Sequence, residues 1–158
     1  MYESAETLKI ELEFLLDKPI PYDSEIMDWL IFHSADILNR TRMMQNGKTP
    51  YHMVKGRQFS ASVARFGEIV FYLRANSKGK DRLNSRVNSG IYLGHLSDSG
   101  EAKIGTAQGV IRARTIRRKA LFKDRWNAAN VFKMKGRPSQ PNPLSSSKNI
   151  YSLSLIHI

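Results

Sequence analysis

Apolar residues recur at a helical spacing in the first third of the chain and at alternate positions further on. Ala5, Leu8, Leu12 and Leu15 make one stripe of a helix over Ser4 to Asp17, with Glu6, Lys9 and Glu13 on the other side. Pro19 and Pro21 end it, because proline has no N–H for the carbonyl four residues back. Asp23 or Ser24 can cap a second helix, and Glu25 and Asp28 in its first turn suit the positive end of the helix dipole. Ile26, Leu30, His33 or Ser34, and Ile37 turn inward. Arg40 and Arg42 occupy the last turn, where cations are favoured, and Asn46-Gly47 is the stop. Thr49-Pro50 opens a short third helix over Tyr51 to Lys55, closed by Gly56.

From Phe66 the period changes to two. Phe66 to Arg74 is rich in β-branched and aromatic residues and predicts a strand. A charged loop, Ala75 to Arg86, leads to a second strand over Asn88 to His95. Turns at Ser97 to Gly100 and Ala107 to Gly109 bound a third strand, Glu101 to Thr106, and start a fourth, Val110 to Arg117. Short strands joined by such turns predict a small antiparallel barrel. Gly90, Gly94 and Gly105 mark bulges or tight curvature within it. Trp126 is expected to pack over one end, the alternative being a platform on which bases stack. The Pro- and Ser-rich stretch from Gly136 predicts a disordered tail, 136–158.

The 158 residues allow one ordinary domain or two small ones, and 41% apolar content is enough for a core. The absence of cysteine excludes disulfides, a Cys-ligated zinc site and a Cys nucleophile. No apolar run approaches the roughly 20 residues of a membrane span, and the acidic start lacks the pattern of a signal peptide. The expectation is a soluble intracellular protein with no membrane partner. The net charge of +11 is uneven: residues 1–57 hold nine acids and seven bases, residues 58–158 five acids and eighteen bases. That asymmetry predicts two units, the second facing a polyanion, with DNA the expected partner and RNA the alternative.

Arg112, Arg114, Arg117, Arg118 and Lys119 carry the strongest local signal. On one strand Arg112 and Arg114 project from the same face, while Ile111, Ala113 and Thr115 face the other way. Such a strand can bury one side and offer guanidinium forks to phosphate oxygens on the other. Lys78, Lys80, Arg82 and Arg86 form a second basic loop that can lie beside it. Other chemistry is poorly supported. Gly47-Lys48-Thr49 resembles the end of a phosphate-binding loop, but position 42 is Arg where that loop needs Gly, and no strand precedes it. The four histidines share no metal-ligand spacing, and His33 is expected to be a hydrogen-bonded core residue. Glu3, Glu6, Glu11 and Glu13 fit a solvated helix face better than a metal site.

The order of the motifs is similar to a known family. Ile37-Leu38-Asn39-Arg40, Gly47-Lys48-Thr49-Pro50-Tyr51, Lys55-Gly56, Phe66-Gly67-Glu68, Gly90-Ile91-Tyr92-Leu93-Gly94 and Val110-Ile111-Arg112-Ala113-Arg114 follow one another. This set resembles the end of the integrase region of copia-type LTR retrotransposon polyproteins, across residues 7–127. The resemblance implies an α+β chain: residues 1–57 as the last helices of an RNase H-like core, residues 58–135 as an SH3-like β-barrel, then the tail. The family joins element DNA to target DNA with two Asp and one Glu that hold two divalent metals, magnesium or manganese. Those carboxylates are expected upstream of this chain. Glu6 sits in an A-E pair without the family's preceding N-G, so the catalytic role is not carried to it.

The resemblance therefore implies an integrase fragment with no catalytic residue, metal ligand or cofactor of its own. Its partners would be DNA and the missing upstream core, the intact parent would be an oligomer, and its place of action the nucleus. Two other readings stay open: a stand-alone SH3-like module that binds nucleic acid or chromatin, and a relic without activity. Leu153 to Ile158 matches one reading frame of a common sequencing-library adapter and is expected to be no part of the fold.

Overall fold

A computed structural model describes residues 2–60, 64–73 and 87–143. Helix α1 (Tyr2–Leu16) buries Ala5, Leu12 and Leu16 and ends at Asp17, whose φ of 54° takes the chain out of the helix. Helix α2 (Glu25–Thr41) begins after Ser24, as expected. The Ser24 hydroxyl donates to the Pro21 carbonyl at 2.7 Å, however, and does not cap the helix. Helix α3 (Pro50–Lys55) has both predicted ends: the Thr49 hydroxyl accepts from the His52 N–H at 3.1 Å, and Gly56 closes it with a φ of 72°.

The β region is one antiparallel sheet. Its strands are β1 (Ile69–Leu73), β2 (Val87–His95), β3 (Ala102–Thr106), β4 (Gly109–Ala113) and β5 (Ile116–Arg118), in the order β4-β3-β2-β1-β5. The first strand starts later than predicted because Phe66 and Gly67 form a turn, with Gly67 at a φ of 82°. The expected irregularity at Gly94 is present. The β2–β3 register shifts between Tyr92 and His95, and Gly94 has a φ of 110°.

The predicted fourth strand, Val110 to Arg117, is two strands. Ala113 still pairs with Ala102 of β3, whereas Ile116 pairs with Tyr72 of β1, at the opposite edge of the sheet. Arg114 and Thr115 turn the corner. Three chain steps reach about 11 Å, yet five strands laid flat would separate their outer members by about 19 Å. The sheet must therefore curl until its edges approach. It is not closed into the barrel that the sequence pattern predicts, because no ladder joins β4 to β5 among the described residues.

Strand alternation sends the two sheet faces to different partners. Ile69, Ile91, Leu93 and Val110 join Leu12, Leu16, Ile26, Trp29 and Leu30 in one core against the helices. Val70, Tyr72, Tyr92, Ala102, Ile104 and Ala113 gather on the inside of the curl. The larger core thus includes residues from both sides of position 57. It also takes in Val131 and Met134, from and just after a short helix that the apolar pattern did not predict, α4 (Ala128–Lys133). A 3-10 turn over Phe122–Arg125, also unpredicted, precedes it.

The start of the expected disordered tail is part of the fold. Trp29 Nε1 donates to the Gly136 carbonyl at 2.9 Å, Arg137 pairs with Asp28 at 2.6 Å, and the Val110 N–H donates to the Pro141 carbonyl at 2.8 Å. A buried indole N–H needs an acceptor, and the edge strand β4 has unpaired donors, so the passing chain satisfies both. Residues 144–158 lie outside the described residues.

Candidate nucleic-acid interface

The structure separates the five residues of the predicted cationic row. Arg112 is exposed on β4, opposite Lys103 in the register. Arg114 stands at the corner, where its side chain is 86% exposed and its Nε lies 3.8 Å from Glu101. Arg117 is exposed on β5. Arg118 is half-exposed, but its guanidinium is committed to a buried carboxylate: its Nε donates to Glu68 Oε1 at 2.8 Å. Lys119 lies over the Phe71 ring, its Nζ 5.1 Å from the centroid. A single strand would have aligned these groups; the break at Arg114–Thr115 distributes them along the seam where the sheet edges approach. Lys78, Lys80, Arg82 and Arg86 lie outside the described residues.

Arg118 belongs to the scaffold. Glu68 is fully buried, and its carboxylate also accepts from the Arg65 N–H at 2.9 Å and lies 3.6 Å from Arg125. A buried carboxylate needs such partners, since unpaired burial would be costly. The Arg118 pair ties β5 to the turn before β1.

Beside the seam a groove of 810 Å³ runs along the sheet and α4. Asn88, Ser89, Gln108 and Asn130 supply amide and hydroxyl groups to its walls, and Arg112 and Lys133 supply positive charge. Residues 102–143, which form β3, β4, β5 and α4, contain eleven Lys and Arg and a single acid, Asp124. Lys103, Arg118, Arg125 and Arg137 among them pair with Asp36, Glu68 and Asp28 from outside the stretch, so the positive charge of the surface rests on exposed groups such as Arg112, Arg117, Lys123, Lys133 and Lys135.

A different set of charges is buried between α2 and the sheet, and no sequence signal pointed to it. Asp36 and Lys103 are each 2% exposed and meet at 3.8 Å; Arg40 lies 3.9 Å from the same carboxylate oxygen. Burial raises the Asp36 pKa and lowers that of Lys103, and each opposes the shift of the other. Lys103 reads as the outward position of an Ala-Lys-Ile alternation, but helices cover that face of the sheet. Tyr92 and His95 extend the cluster through a 2.6 Å contact between the phenol and Nδ1.

His33 is buried as expected, stacked on Phe66 at 5.1 Å, but its Nδ1 has no hydrogen-bond partner. That nitrogen faces Gly94, where an added Cβ would come within 2.7 Å. Desolvation, helped by the nearby Lys103 and Arg40 charges, lowers the His33 pKa to about 3, and burial lowers that of His95 to about 4. Both rings are neutral at physiological pH. Trp126 is partly buried against the core between the helices and the sheet, beside Leu8 and Leu12 of α1, and not over a barrel end, since the sheet does not close. Among the described residues, no group of three His, Asp or Glu side chains could hold a metal ion. No helix among them is long and apolar enough to cross a membrane.

The chain matches no family model, no curated protein and no solved structure.

Proposed function

We propose that this chain is a nucleic-acid-binding fragment of a copia-type retrotransposon integrase, and that it binds DNA along the groove and seam between β4, α4 and β5. The observation that carries the reading is the convergence of Arg112 and Lys133 on one groove within a 42-residue stretch that has a single acid. Cations on the rim hold phosphates, and the amides of Asn88, Gln108 and Asn130 can meet base edges. The strand order supports the SH3-like assignment, since the last strand returns beside the first and the sheet curls toward closure. The helices α1 to α3 fall within residues 1–57, the stretch that the resemblance reads as the end of an RNase H-like core.

The carboxylates among the described residues do not gather into the family's two-metal site, and the activity proposed for this chain is binding alone. The intact parent, with magnesium or manganese held upstream, would do the joining in the nucleus.

Filter binding of a short duplex across a salt series tests the reading. Each lost phosphate contact lowers the steepness of log K against log salt by about 0.9 on duplex DNA. Replacing Arg112, Arg114 and Arg117 by Ala is expected to flatten the slope by about two contacts while the circular dichroism spectrum stays unchanged. An unchanged slope would overturn the assignment of these residues. A slope that flattens equally on single-stranded RNA and duplex DNA favours the general binding module over the integrase reading.

A further inference from the structure

The helices cover one face of the sheet only in part. On β1, Ile69 lies in the main core, while Phe71 and Leu73, further along the same face, reach solvent. Val70 and Tyr72, between them, turn inside the curl. The register puts Arg117 of β5 on one side of Phe71 and Ser89 of β2 on the other, so the three form an outward row across the sheet. Lys119 reaches over the Phe71 ring. Arg125 donates to the Lys119 carbonyl at 2.7 Å, which helps hold the 3-10 turn Phe122–Arg125 against β1. The two rings this surface offers are those of Phe71, 38% exposed, and Phe122, 57% exposed, and not that of the partly buried Trp126.

The rings stand among uncommitted cations. Residues 69–73, 87–91 and 116–123 contain four Lys and Arg and no acid, and Asp124 follows them. Arg118 is committed to Glu68, but Arg117, Lys119 and Lys123 have no carboxylate partner among the described residues. A ligand that matches this surface must carry aromatic faces and negative charges side by side. A duplex keeps its ring faces inside the base stack, whereas an unpaired strand offers a ring and a phosphate at every nucleotide. The lysine chain is flexible, so a base can take its place over Phe71 while the ammonium turns to the neighbouring phosphate.

We propose that the outer face of β1 and β5, with the turn at Phe122, is a second nucleic-acid site that takes a single DNA strand. Bases stack on Phe71 and Phe122, and Arg117, Lys119 and Lys123 hold the adjoining phosphates. The proposal rests on the nucleic-acid reading of the groove, with which this face is continuous: Ser89, beside Phe71 in the register, also lines the groove wall. It adds a different mode of recognition. The groove and seam grip a sugar-phosphate chain, and the aromatic face selects strands whose bases are free.

Fluorescence anisotropy with the full chain tests this on three labelled probes: a short oligo-dT strand, an abasic strand of the same length, and a blunt duplex. Phe71→Leu and Phe122→Leu, made singly, keep an apolar side chain and remove the ring. Wild type is expected to bind oligo-dT about fivefold or more tightly than the abasic strand. Each variant is expected to lose about fivefold or more on oligo-dT, the low end of what a lost aromatic stack costs. Binding of the duplex and the abasic strand should stay within about twofold, and the salt slope should not change, since no phosphate contact is removed. Lys119→Ala with Lys123→Ala should instead flatten the slope on oligo-dT by about 1.4, two contacts on a single strand. Oligo-dT bound no better than the abasic strand, Phe variants that bind it like wild type, or equal losses on all three probes would overturn the proposal. The groove reading fails separately, through an unchanged duplex slope when Arg112, Arg114 and Arg117 are replaced.

Discussion

Lys103 and Arg114 are both cations on the β3–β5 stretch, eleven residues apart in sequence, and they face opposite physical problems. Lys103 is sealed between α2 and the sheet with Asp36 and Arg40. Arg114 stands in solvent at the corner, with only a loose contact to Glu101. Water screens the second and leaves it free to exchange Glu101 for another anion. The first has lost its water and depends on its carboxylate. A high count of basic residues thus says little by itself: some cations hold the helices to the sheet, and others are available to a partner. Arg118 lies between these limits, half-exposed but committed to the buried Glu68.

Removing the anion from each pair should rank these sites. Asp36→Ala strands the Lys103 and Arg40 charges in the interior and is expected to destabilise the fold by about 3–5 kcal/mol in urea unfolding. A cost below about 1 kcal/mol would mean that water reaches the junction.

Acid should weaken the same region. His33 and His95 have native pKa values of about 3 and about 4, below the ordinary value of about 6.5 in an unfolded chain. Their contribution to stability is full above pH 6.5 and is lost as the pH falls toward the native values, because only the unfolded chain takes up the protons. Asp36, whose pKa is raised by burial, works in the other direction. The net expectation is a loss of about 1.4–2.7 kcal/mol per pH unit near pH 5, measured by urea unfolding at several pH values. His33→Phe should remove about half of that slope; an unaltered slope would place the linked proton elsewhere.

Glu68→Gln tests the intermediate case. It keeps the shape of the side chain but removes the charge that holds Arg118 and Arg125, and is expected to cost about 1.5–3 kcal/mol. Arg114→Ala should have the smallest effect on thermal unfolding, equivalent to about 0–1 kcal/mol. A larger loss would make Arg114 a structural residue and remove it from the binding seam.

The local elements were largely legible. Stripe, cap and breaker fixed α1, α2 and α3 within a residue or two, because those signals act between near neighbours in the chain. The strands β2 and β3 were equally clear from alternation and their flanking turns. The corner at Arg114–Thr115 was not. Its residues carry no glycine or proline, and nothing nearby states that Ile116 will leave β3's neighbour for β1. The helix α4 is only six residues long, too short for a periodic stripe to stand out.

Composition and local pattern determined that the chain builds helices followed by an antiparallel sheet, and that its second part is strongly basic. They did not determine which basic residues face a partner. That choice depends on which sheet face the helices cover, how far the sheet curls, and where a distant carboxylate comes to rest. Asp36 meets Lys103 across 67 positions of sequence, and Glu68 meets Arg118 across 50. Charges interact through space, so only the packed chain decides which of them are neutralised inside and which remain for binding.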